Sequence, residues 1–113
     1  MEPMDIYTFG KHLSSIEVDN IYETMHFRAR IEARFGEGFI EEIYSIIFEK
    51  TPVGILQQNG QKFKVLYRYS EKYDISVIIG IKEHEPIKFS LVTCFKESSG
   101  KRVREDERTQ DQA

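Results

Sequence analysis

Three residues in the first third of the chain carry side chains that can do chemistry at a shared spacing: His26, Arg30 and Arg34, each four positions apart. On a helix this spacing makes a row along one side, drifting by about 40° per step at a turn of 100° per residue. An imidazole titrates near neutral pH, and guanidinium groups offset charge that builds on phosphorus, so the row suits phosphoryl transfer. The plainer alternative is a solvated face in which Arg28, Arg30 and Arg34 pair with Glu23, Glu32 or Glu37 and His26 is a half-buried spacer. Thr93 lies among Ile87, Phe89, Leu91 and Phe95 in an alternating run, so its hydroxyl must find a partner on the buried face or line a cleft. A second cationic set, Lys62, Lys64, Arg68, Lys88 and Lys96, falls by strand parity on one open face with Asp74 as its lone carboxylate. That face can attract a polyanion, or its lysines can simply keep a solvent face wet and guard strand edges. Cys94 reads as a small, partly buried strand residue and not a nucleophile. His12, His26 and His84 lack ligand spacing, so no metal is expected, and Gly36-Glu37-Gly38 reads as an interhelical turn.

The elements that must hold these groups follow from periodicity. Val18, Tyr22, Met25, Ala29 and Ala33 recur three or four apart and predict a first helix, starting at Ser14 with Glu17 in a capping box or later at Asp19. After Gly36 and Gly38 a second helix runs through Phe39, Ile40, Ile43, Ile46 and Ile47, and Pro52 stops it near Lys50. The rhythm then changes to two. A short strand over residues 53–56, a hairpin at Asn59-Gly60, and strands over 62–69, 73–81 and 87–96 are predicted. The reading is α+β: two N-terminal helices packed on one face of a three- or four-stranded antiparallel sheet, with the other face in solvent. Residues 1–13 read as an N-terminal extension, 14–96 as the domain, and 97–113 as a charged, disordered tail.

Composition narrows the class. A chain of 113 residues, 40% hydrophobic and 31% charged, with one cysteine, has room for one domain with a single core and none for a disulfide scaffold or a multi-thiolate zinc site. Its apolar runs are too short to span a bilayer and no signal peptide is evident, so the expectation is a cytoplasmic protein with no membrane partner. The net charge of −3 is unevenly spread. Residues 1–60 hold 5 basic and 10 acidic side chains, whereas residues 61–96 hold 7 and 4.

The segment His26-Phe27-Arg28-Ala29-Arg30-Ile31-Glu32-Ala33-Arg34-Phe35-Gly36, then Phe39-Ile40-Glu41-Glu42-Ile43, the Lys50-Thr51-Pro52 break and the final Leu91-Val92-Thr93-Cys94-Phe95 resemble small RelE-like domains of the barnase, EndoU, colicin and RelE superfold. That resemblance implies a metal-independent endoribonuclease of toxin type with no cofactor. In it His26 would be the acid/base, Arg30 and Arg34 phosphate or structural cations, and Thr93 a hydrogen-bond donor facing the row. RNA and a cognate antitoxin would be its partners, and Tyr67 or Tyr69 would stack on a base. The rival reading is a non-catalytic module that docks a protein partner or forms a homodimer.

Overall fold

The computed structural model describes residues 4–100. It is an α+β structure of three α-helices and a five-stranded mixed sheet: α1 (Ile6–Ser15), a 3-10 turn (Val18–Asn20), β1 (Ile21–Glu23), α2 (Phe27–Phe35), α3 (Phe39–Glu49), β2 (Gly54–Asn59), β3 (Lys62–Arg68), β4 (Tyr73–His84) and β5 (Ile87–Ser98). Strand order is β1-β5-β4-β3-β2. β1 runs parallel to β5, and every other neighbouring pair is antiparallel. The sheet is therefore mixed, where an all-antiparallel sheet of three or four strands was expected.

The N-terminal third departs most from expectation. Residues 6–13, read as an extension, belong to α1, which the Asp5 carboxylate caps by accepting from the Thr8 amide at 2.7 Å. Phe9 and Leu13, one turn apart, put the helix into the core, and Phe9 stacks on Phe63 with ring centroids 4.0 Å apart. The long helix predicted from Ser14 is broken. Its supposed apolar stripe faces water, with Val18 58% and Met25 89% exposed. The residues buried there are Ile16, Ile21, Phe27 and Ile31. Asp19 and Asn20 turn the chain, and Ile21–Glu23 instead pairs with Phe89–Leu91.

From Gly36 onward the elements fall close to their predicted places. Gly36 and Gly38 take positive φ, at 93° and 89°, in the turn between α2 and α3. Ile40, Ile43, Ile46 and Ile47 bury one face of α3. The β2–β3 hairpin turns at Gly60-Gln61, where the Gln61 amide donates to the Asn59 side chain at 2.8 Å. On the core face Phe63, Val65 and Tyr67 lie opposite Ile79, Val77 and Ile75.

Strand β5 holds a second correction. Ile78 pairs with Thr93 but Ile79 pairs with Leu91, so Val92 is an extra residue and the pairing bulges. Parity inverts beyond it: Cys94 is fully buried, whereas Thr93 turns to the other face and Phe95 is 38% exposed. That other face is not open at its centre either. Lys64, Leu66, Asp74, Ser76 and Ile78 are all buried. Glu97 and Ser98, assigned by sequence to the tail, complete β5. The remaining tail, 101–113, lies outside the described residues. Among the described residues no helix is long and apolar enough to cross a membrane.

Candidate functional site

α2 lies against the outer edge of β5, where β1 has ended, and its buried Phe27 and Ile31 anchor it. Edge carbonyls there need donors. The Thr24 hydroxyl donates to Leu91 O at 3.0 Å, and Arg34 donates to Cys94 O and, at 3.2 Å, to the Thr93 hydroxyl. The Arg34 guanidinium also lies 4.6 Å from the centre of the Phe95 ring. Arg34 and Thr93 are thus brought together, with the Thr93 hydroxyl accepting where the resemblance implied a donor, and the contact closes an edge of the sheet. His26 does not join them. It is the residue before the first turn of α2, is exposed, and makes no capping hydrogen bond through its side chain. Arg30 is exposed one turn further on. Arg28 instead pairs with Glu23 through two hydrogen bonds of 2.8 and 3.2 Å, and Tyr44 of α3 donates to the same carboxylate at 2.9 Å. This Glu23–Arg28–Tyr44 network ties β1, α2 and α3 together.

The cations of the sheet are dispersed. Lys62 and Arg68 stand at opposite ends of β3, about 20 Å apart at 3.3 Å per residue. Lys64 is buried and paired with Glu97 at 2.9 Å, and Lys88 pairs with Glu83 at 3.3 Å. The Lys96 ammonium sits 4.4 Å from the Tyr73 ring centre. Tyr67, a candidate for base stacking, is fully buried on the core face, so it cannot receive a base; Tyr69 is 38% exposed beside Lys50. Among the described residues no cluster of three His, Cys, Asp or Glu side chains is placed to hold a metal.

Two hollows lie elsewhere, along the second half of α3. A cleft of about 490 Å³ opens between α1, the end of α3 and the start of β2, with Leu13, Ile16, Ile47, Val53, Ile55 and Tyr67 among the residues lining it. Next to it a shallower groove of about 620 Å³ runs between the 3-10 turn and α3, lined by Ile16, Val18, Tyr44 and Phe48 with Glu17, Ser45 and Glu49. The two share Ile16, Phe48 and Glu49. Sequence reasoning missed both. Their walls come from residues far apart in the chain.

Burial governs the titration of these side chains. Burial first, then the bond to Glu23, pushes the Tyr44 phenol up from 10.0 to about 12. Since the unfolded phenol keeps the lower value, the stability that Tyr44 contributes is complete below pH 10 and is lost as pH rises towards 12. Burial moves Tyr67 in the same direction. In urea titrations across that window the unfolding midpoint should fall, and Tyr44→Phe should lessen the fall without abolishing it. Cys94 is likewise pushed up by burial, from 9.0 to about 12, despite Arg34 nearby. Iodoacetamide should therefore leave the native thiol unlabelled at mildly alkaline pH and label it once the chain is unfolded.

A small α+β domain with its helices on one face of a mixed sheet and apolar hollows between them is thus the class of protein that the structure defines. The chain belongs to the MJ0788 family, whose model matches residues 7–79. It is similar to "Uncharacterized protein MJ0788" of Methanocaldococcus jannaschii, at 43% identity over 63 residues, which cover 53% of this chain and 77% of that protein. No solved structure matches. The matched stretch opens inside α1 and ends in β4, so it contains every residue lining the two hollows and the α2 row, while Thr93, Lys88 and Lys96 lie beyond it.

Proposed function

We propose that this domain is a non-catalytic interaction module whose docking surface is the apolar groove between the 3-10 turn and α3, and that its partner is a basic amphipathic segment of another protein. The observation that carries the reading is the groove itself: Val18 and Phe48 are 58% and 43% exposed, and among the described residues the charges lining it are the carboxylates Glu17 and Glu49. Exposed apolar surface rimmed by charge of one sign suits a helix with an apolar face and basic flanks. A second copy of this chain is a poorer occupant, because a two-fold contact would bring Glu17 and Glu49 of each copy against those of the other.

A nuclease reading draws on the resemblance of the α2 segment to RelE-like domains and on the meeting of Arg34 with Thr93. It has less support, because His26 lines neither hollow and Lys64 and Lys88 are each paired with a glutamate. Fluorescence anisotropy distinguishes the two. A labelled leucine/lysine amphipathic helical peptide should saturate on the full chain, more weakly as salt rises, while the same peptide with glutamates for lysines should not bind. Equal binding of both peptides, or a groove occupied by self-association in analytical ultracentrifugation, would overturn the proposal.

A further inference from the structure

We propose that the neighbouring cleft, which Tyr67 helps to line, is a binding site for a small uncharged molecule with an apolar body and one hydrogen-bond acceptor, such as a ketone or amide. This goes beyond the docking surface and rests on a separate observation. Tyr67 is fully buried, and its hydroxyl has no hydrogen-bond partner among the described residues, which is rare for a buried polar atom. The same residue lines a cleft of about 490 Å³, within the range that holds small ligands. A buried phenol left without a partner in the lining of such a cleft can donate to an acceptor brought in by a ligand.

The walls set the rest of the ligand's character. Leu13, Ile16, Ile47, Phe48, Val53 and Ile55 offer aliphatic and aromatic surface. The charged side chains at the cleft are one carboxylate and one ammonium, and both are engaged: Glu49 accepts from the Ser45 hydroxyl at 3.1 Å, and Lys50 donates to Arg68 O at 3.0 Å. Their opposite charges leave the cleft no net charge to attract an ion, so an uncharged ligand fits better than an anion or a cation.

Acetophenone and α-methylstyrene test this, since they share a shape and differ in having C=O or C=CH2. In ¹H–¹⁵N titrations of the full chain, both should shift amides of Leu13, Ile47 and Ile55, with acetophenone about three- to tenfold tighter, the margin of one neutral hydrogen bond. Tyr67→Phe should fold with unchanged or greater stability and erase that margin. Ser14→Phe, on the exposed rim contributed by α1, should fill the cleft and weaken both probes. No shifts with either probe in the wild-type chain, a margin that survives Tyr67→Phe, or binding indifferent to Ser14→Phe would each overturn the site.

Discussion

Phe9→Ala should destabilise the domain by about 3–5 kcal/mol, a large share of the stability of a chain this size. Phe9 is fully buried, lies 4.0 Å from Phe63 and 5.1 Å from Phe89 between ring centroids, and so joins α1 to β3 and β5 at once. Truncation to alanine removes the transfer energy of the ring, leaves a cavity that two neighbouring strands cannot collapse to fill, and breaks two aromatic contacts. Deleting residues 1–13 should be worse, because Leu13 and the Asp5 cap go too. Urea unfolding followed by circular dichroism checks both changes. If residues 1–13 are a dispensable extension, neither will move the midpoint by more than a surface change does.

Phe48→Ala should weaken binding of the leucine/lysine peptide by about 2 kcal/mol, or about thirtyfold, which is the scale of a central aromatic anchor. Phe48 projects from the outer face of α3, 43% exposed, at the wall shared by the groove and the cleft. Its exposure means that the same truncation should cost the fold little, so affinity and stability separate cleanly in this variant. Ile47→Ala, one position along but buried, should do the reverse, costing about 2–5 kcal/mol of stability. Isothermal titration calorimetry and thermal melts on both proteins give the comparison. Binding that survives Phe48→Ala would place the peptide elsewhere on the molecule.

What the sequence makes legible depends on how local the cause is. The second half of the fold reads more directly: Asn59-Gly60 marks the hairpin, whose turn falls one residue on at Gly60-Gln61, the alternation of Phe63, Val65 and Tyr67 sets the core face of β3, and Pro52 sets the end of α3. In the first half, Ile21–Glu23 forms a strand because β5 offers an edge nearly 70 residues away, so its helical-looking spacing with Val18 and Met25 misleads. In the same way the Val92 bulge turns Cys94 inward and Thr93 outward, which no count of alternation along β5 alone anticipates. The candidate site shows the same division. Arg34 and Thr93 do meet, but His26, spaced to join them, is exposed before the first turn of α2. The hollows beside α3 gather residues from α1, α3, β2 and β3, and their existence depends on packing that the sequence specifies only through the whole fold.

Chemical-shift mapping of the full chain with two ligands in turn tests most directly where this domain binds. With the leucine/lysine peptide, the largest amide shifts should fall on Val18, Tyr44, Ser45 and Phe48, and mixed-sequence RNA at low salt should shift none of His26, Arg30, Arg34 and Thr93. Shifts from RNA centred on those four residues, with the groove unmoved by the peptide, would contradict the account.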